Sequence, residues 1–340
     1  MAELDSDERV LLAHGSGGRL SHQLTQKVFL RAFNSPILQR LDDFAVVEGQ
    51  PGRFAFTTDS FVVKPIFFAG GDIGKLAVCG TANDLSMSGA VPRYLSATFV
   101  IEEGFRIVDL QRIAQSMQEA ADEACVEIIA GDTKVVETGK ADGVYITTAG
   151  LGLIPAGVSI SGAGASPGDK IILSGPIGDH GIAILSEREG LRFKTEIRSD
   201  CAPLNHLVKA MLEVSTEIHS LRDPTRGGLA TTLNEMADQS GVGMRIYENA
   251  IPVREPVRAA CELLGYDPLY IANEGKLVAV VGSEAADSIV ERMRQHSYGR
   301  EAAIIGEVLD GPAGRVMMVT RIGGSRIIDM LTGEMLPRIC

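Results

Sequence analysis

Apolar residues recur along the chain with two alternating periods. "RFAFTT" (53–58) reads as a strand running into Asp59, and "YLSATFVI" (94–101), "VEIIA" (126–130) and "GVYITTAGLGL" (143–153) read as further strands. Between them the period lengthens. "DIGKLAVCGTANDLSMSGA" (72–90) predicts a helix capped by Asp72, with Ile73, Leu76, Ala77 and Gly80 on one face. "RIVDLQRIAQSMQEAADEAC" (106–125) predicts an amphipathic helix whose stripe is Ile107, Leu110, Ile113, Ala114, Met117 and Ala121. The Gly-, Ser- and Pro-rich stretch "PAGVSISGAGASPGD" (155–169) then breaks the pattern and predicts a domain boundary.

The second half repeats the mixture. Strands are expected at "KIILS", "GMRIY", "KLVAVVG", "AAIIGEVL" and "RVMMVTR", and helices around "GIAILSERE", "LNHLVKAMLEV", "GLATTLNEMADQ", "PVRAACELLG" and "ADSIVERMRQH". The expected class is α+β: two α/β domains, 1–155 and 156–322, with mixed sheets covered by helices. After Thr320 the chain becomes glycine-rich without a sustained period, so 323–340 is expected to be a mobile tail.

Composition narrows the function. At 340 residues, each half can bury its own core. A formal charge of −12 argues against nucleic acid or an anionic membrane as main partner, since both need clustered Lys and Arg. The acidic start "MAELDSDERV" has no apolar signal region, and no run is long enough to span a bilayer. Of the five cysteines, Cys79, Cys125, Cys201 and Cys261 read as small core residues, with no zinc-ligand spacing. A reducing, cytoplasmic setting is expected. Cys340, the last residue, stands apart in "GEMLPRIC".

Candidate chemistry lies in short acidic or glycine-rich stretches: "HGSGG" (14–18), "LDDFAVV" (41–47), "TTDS" (57–60), "TANDLS" (81–86), "AGDTK" (130–134), "SGPIGDHG" (174–181), "DPTRGG" (223–228) and "NEGK" (273–276). Each alone is compatible with turn chemistry. Converging carboxylates would repel each other in a partly dry cleft, and magnesium, shared with phosphate, is the usual remedy. Neither a P-loop nor a dinucleotide fingerprint occurs. Lys134 and Glu274 are candidate proton-transfer groups, though on spacing alone a surface Lys and a surface Glu are the better reading; His180 could close over a ligand at a glycine hinge and reads equally as a turn histidine.

"LDDFAVV", "TTDSFVV", "NDLSMSGAVP" and "GDTK" resemble signatures of the ATP-binding superfamily of aminoimidazole ribonucleotide synthetase, selenophosphate synthetase and thiamine-monophosphate kinase. With "HGSGG", "DPTRGGLATTLNEMA", "NEGKL" and the final "PRIC", the chain from His14 to Cys340 resembles one branch, the HypE family of carbamoyl dehydratases of hydrogenase maturation. The resemblance implies a homodimer joined through the N-terminal domains, with ATP and Mg2+ bound near that interface. It implies that a carbamoyltransferase, HypF, loads a carboxamide onto Cys340. ATP then drives dehydration to a thiocyanate, and the cyano group passes to iron on a HypC–HypD complex for the nickel–iron centre.

Carried onto this sequence, the resemblance makes Cys340, Lys134 and Glu274 catalytic, Glu274 as base. It gives ATP the residues His14, Gly15, Gly17, Gly18, Asp59, Asn83, Asp84, Asp132, Thr133, Asp223, Arg226, Gly227 and Gly228. Metal would be held by Asp43, Asp59, Asp84, Asp132 and Asp223, with Asp42 as a substitute for Asp43. The 16 residues that follow Gly324, as far as Cys340, can span about 55 Å when extended, enough to visit a partner and return. Two other readings stay open: a small-molecule ATP-dependent kinase or ligase with Cys340 incidental, and a nucleotide-binding assembly scaffold without catalysis.

Overall fold

The computed structural model describes residues 8–15, 18–41, 45, 47, 49, 51–191, 197–331 and 338–340. The chain begins with α1 (Gly18–Leu24) and α2 (Leu30–Ala32). The N-terminal unit then runs through β1 (Arg53–Phe61), β2 (Phe67–Phe68), β3 (Gly71–Asp72), α3 (Ile73–Met87), β4 (Val91–Glu102), α4 (Ile107–Ala124), β5 (Glu127–Val136) and β6 (Val144–Ile154). Four strands form one mixed sheet in the order β1-β6-β4-β5, with only β4 and β5 parallel. Its inner face packs on α3 and α4 through Leu95, Ala97, Phe99 and Ile101, all essentially buried.

The Asp72 cap is present: its Oδ1 accepts from Gly74 N at 2.8 Å and Lys75 N at 3.0 Å. The α4 stripe is buried as the spacing predicts. Gly74 is needed where α3 crosses α4, because a Cβ there would lie 2.5 Å from the Ile113 carbonyl oxygen.

The second unit contains β7 (Lys170–Leu173), α5 (Asp179–Glu189), α6 (Asn205–Leu212), β8 (Ile218–Arg222), α7 (Gly228–Ser240), β9 (Gly243–Tyr247), α8 (Glu255–Leu264), β10 (Val278–Val281), α9 (Ala286–Arg294), β11 (Ala303–Leu309), β12 (Arg315–Val319) and β13 (Ser325–Ile328). Seven strands order as β13-β12-β9-β11-β7-β10-β8, antiparallel except for β12 with β9. The two-domain α/β architecture with mixed sheets matches the pattern reading. Among the described residues, no helix is long and apolar enough to cross a membrane.

Some elements differ from expectation. "VEIIA" is the start of a ten-residue strand, so Asp132 and Lys134 lie within β5 and not at its end. β8 is too short and too mixed in polarity ("IHSLR") to show a period. The stretch assigned to the tail begins with β13, which pairs along β12 and buries Ile328. Cys125 is exposed, capping α4 at φ 53°, and is not a core residue.

Asn83, on α3, joins the two units. Its amide donates to Ala202 O at 3.1 Å and Glu274 O at 3.5 Å, and its Oδ1 accepts from Leu204 N at 2.8 Å. Asn83→Ala strands buried backbone groups on both partners and is expected to lower unfolding stability by about 2 kcal/mol in urea titration. An unchanged midpoint would show that the joint is held by apolar packing alone.

Candidate functional site

The site lies where α3, the edge of β1, the loop after β8 and the 273–276 segment meet. Asp59 points from β1 toward α3, and Thr57, two residues earlier on the same face, donates to Asp84 Oδ2 at 3.0 Å. Asp223 heads the loop leading to α7. Burial raises the pKa of Asp59, Asp84 and Asp223, and their mutual charge adds to the rise at Asp84 and Asp223. Asp223 is pushed up to about 7. The loop ends in Gly227 and Gly228 at φ 80° and 61°. A Cβ on Gly228 would lie 2.6 Å from Leu269 O and 2.7 Å from Ile271 O, so the turn is packed against backbone.

Glu274 is fixed from behind. Asp200 Oδ1 accepts from Glu274 N at 3.1 Å and Oδ2 from Gly275 N at 3.3 Å, while Lys276 Nζ pairs with Asp200 Oδ2 at 3.0 Å. Burial works to raise the Asp200 carboxyl, but Lys276, His180 and the Glu274 N–H hold it below its ordinary range. Glu274 is only 4% exposed, and its Oε1 has no hydrogen-bond partner among the described residues. Burial first, then Cys201, Asp223, Asp200 and Asp59, push its pKa well up, which strengthens its affinity for a proton.

The last three residues enter this pocket. The Arg338 carbonyl accepts from Lys64 N at 3.2 Å and from Arg188 Nη2 at 2.7 Å, and the Arg338 guanidinium pairs with Asp142. Ile339 is buried in the first core cluster. Its carbonyl oxygen lies 2.6 Å from His180 Nε2, and a carbonyl can only accept, so His180 donates there. Nδ1 then accepts from the Ser199 hydroxyl at 2.8 Å, and burial keeps the ring neutral. Cys340 is thereby seated against Glu274. Burial and that carboxyl push its thiol pKa far up, against the opposing charge of Arg226. The thiol is protonated and waits beside the buried acid.

The predicted residues divide into two groups. Asp59, Asp84, Asp223, Arg226, Glu274 and Cys340 come together. His14, Gly15, Asp132, Thr133 and Lys134 gather elsewhere: a Cβ on Gly15 would lie 2.4 Å from Val135 N on β5. β5 and β1 are opposite edges of the sheet, and Asp132 shares a row with Ser60, not Asp59, so it faces away from α3. Three strand spacings, roughly 14 Å, separate the rows' ends. The five-aspartate metal set is therefore not assembled within one chain. Asn83 stands apart from both groups, its side chain bonded to Ala202, Leu204 and Glu274 across the domain joint. Gly17, Asp42 and Asp43 lie outside the described residues.

Among the described residues, no three His, Cys, Asp or Glu side chains are close enough to hold a metal ion together. The raised, mutually repelling Asp59, Asp84 and Asp223 still fit magnesium, which takes one or two carboxylates and completes its shell with water and phosphate. Ser199 and Asp200 escaped the sequence reading, and Thr57 and Lys276 fell inside its "TTDS" and "NEGK" stretches without being assigned a role. Their roles are to orient other groups, which leaves no motif beyond an ordinary polar loop.

The raised carboxylates have a thermodynamic consequence. Asp223 is protonated in the folded chain up to about 7, but ionises near its ordinary value of 3.8 when unfolded. Without divalent cation, stability is fully present below the unfolded value and is lost as pH rises toward 7. Thermal melts in EDTA are expected to show this decline, and Asp223→Asn to flatten it and raise the midpoint at pH 8. A variant melting in parallel with the parent chain would exclude the repulsion.

Family models for AIR synthase related proteins match this chain, the N-terminal domain over 41–154 and the C-terminal domain over 166–319. The chain is 57% identical to carbamoyl dehydratase HypE of Azotobacter vinelandii, covering 100% of both, and 44% identical to that of Escherichia coli, covering 97% of this chain and 99% of the other. A crystal structure of HypE in complex with ATP superposes with TM-score 0.94 at 51% identity, covering 97% of this chain and 99% of that one. A HypE–HypF complex gives 0.80 at 51%, covering 91% and 99%. Thiamine-monophosphate kinase from Stenotrophomonas maltophilia shares the fold at 0.64 and 19% identity, covering 82% and 89%.

Proposed function

Because the chain belongs to the HypE family of carbamoyl dehydratases, enzymes of hydrogenase maturation, we propose that its own Cys340 carries the substrate and that Glu274 is the base. The observation that supports this reading is the seating of Cys340 against a buried, partner-poor Glu274 beside three repelling aspartates. A carboxamide on the sulfur would place its oxygen toward the acidic cluster and its nitrogen within reach of Glu274.

The chemistry balances. The amide oxygen attacks the γ-phosphorus of ATP and ADP departs. Loss of one N–H proton to Glu274 gives the phosphorylated imidate, and cleavage of its C–O bond, with the second proton leaving on the phosphate, gives the thiocyanate. Asp59, Asp84 and Asp223 would hold Mg2+ with the phosphates, supplying the charge that an acidic site lacks. Arg226 and the Gly227–Gly228 turn would bear on the transferred phosphoryl group. HypF is taken as the carbamoyl donor, on the analogy of the relative's complex, and a HypC–HypD complex as the acceptor of cyanide.

Asp132, Thr133 and Lys134 act in a second copy's site on this reading. The outer face of the N-terminal sheet exposes two phenylalanines of one strand, Phe54 and Phe56, at 49% and 72%. A homodimer through this face would cover them and bring Lys134 of one subunit to the other's phosphates.

The test is the mass of the C-terminal peptide after incubation with the carbamoyltransferase, carbamoyl phosphate and Mg–ATP. Expected is a carboxamide on Cys340 that loses one water only with hydrolysable ATP, absent in Cys340→Ser. Glu274→Gln should accept the carboxamide but dehydrate it at least 100-fold more slowly. Loading without dehydration in the parent chain would make the protein a carrier, and no adduct at all would return the kinase reading. A mixture of Lys134→Ala and Cys340→Ser chains is expected to recover activity that neither has alone. If Lys134→Ala by itself is fully active, the shared-site assignment is wrong.

A further inference from the structure

A second polar cavity, of about 500 Å3, lies on the other side of the segment that fixes Glu274. Its walls include Ser199, Asp200 and Lys276 but none of Asp59, Asp84, Asp223, Glu274, Arg226 or Cys340. In a chain of net charge −12, this cavity is lined by five cations, Lys75, Arg198, Arg254, Lys276 and Arg300, against the carboxylates Asp200 and Glu301.

Some of that charge is internally answered. Lys276 pairs with Asp200 at 3.0 Å, and Arg254 with Asp179 at 3.0 Å and Glu301 at 3.5 Å. Lys75 and Arg300 make no ion pair among the described residues, so the cavity keeps an uncompensated positive surplus. The polar wall also supplies donors. Ser174 Oγ accepts from Leu277 N at 2.9 Å, which leaves its O–H to donate, and the glycine of Ser174–Gly175–Pro176 keeps the floor open beside the Lys276 stem.

We propose that this cavity binds a small phosphate-bearing anion, of diphosphate or nucleoside-monophosphate size, at a site separate from the one that holds Cys340. Converging cations in a concave, partly dry site concentrate attraction on a compact polyanion, and guanidinium forks match phosphate oxygens. The ligand would rest on the reverse face of the segment whose Ser199 orients His180 and whose Asp200 holds Glu274. The proposal does not depend on the reaction assigned to Cys340.

The two sites can be separated experimentally, because without divalent cation the acidic cluster repels polyanions. Inorganic pyrophosphate and AMP are titrated calorimetrically into the full chain in EDTA, beside Lys75→Ala/Arg300→Ala. Expected is one-to-one binding of at least one probe, weakening with added salt. The double variant should lose at least tenfold in affinity while keeping the parent melting temperature and Mg–ATP turnover. Tighter binding of pyrophosphate assigns a sugar-free polyphosphate, and tighter binding of AMP a nucleotide. Absence of binding for both probes, or undiminished binding by a folded double variant, overturns the proposal.

Discussion

The buried pair of Lys276 with Asp200 determines where everything else in the site stands. Two charges out of water are tolerated only when their remaining hydrogen bonds are satisfied. Here those bonds are the N–H groups of Glu274 and Gly275, so the solution to the pair's solvation is also the placement of the acid. Gly275 is required by the same constraint, since a Cβ there would overlap the Asp200 carbonyl oxygen. Removing either charge leaves the other buried and unanswered, and loosens the backbone that carries Glu274.

A second tier of contacts ties this centre to both domains. Asn83 reaches from the N-terminal unit to the carbonyl of Glu274, and Asn273 accepts from Gly178 N at 2.8 Å while donating to Pro224 O at 2.8 Å. The acid, the aspartate loop and the hinge before His180 thus share one hydrogen-bonded frame. A low-dielectric frame of this kind gives its groups unusual proton affinities, and here all of the shifted carboxylates facing the thiol are shifted toward the neutral form.

Much of this was legible beforehand. The alternation of periods carried the two-domain α/β class with mixed sheets, because each strand and helix buries one face of a two-layer unit. The acidic stretches marked Asp59, Asp84, Asp223 and Glu274 as candidates, and the fold brings these four within electrostatic reach of one another. Asp132 and Asn83 lie apart from that group for different reasons. Strand pairing past Ala130 turned Asp132 onto the far face, and Asn83 sits at a domain joint, which leaves no local trace. His180 showed only as a glycine-flanked histidine, since its partner, the Ile339 carbonyl, is 159 residues away in the chain. Contacts of such separation are invisible to periodicity.

The burial of Ile339 makes the thiol's whereabouts a matter of populations. Withdrawing one isoleucine side chain into water costs roughly 1.5–3 kcal/mol, before the His180 and Arg188 bonds are counted. An exposed tail is therefore a minority state, about one molecule in ten to one in a hundred and fifty. Any protein that takes up the thiol from outside meets only that fraction, and its apparent affinity is weakened in proportion. The side chain next to the reactive residue, chemically inert itself, thus sets how often the reactive residue can be reached.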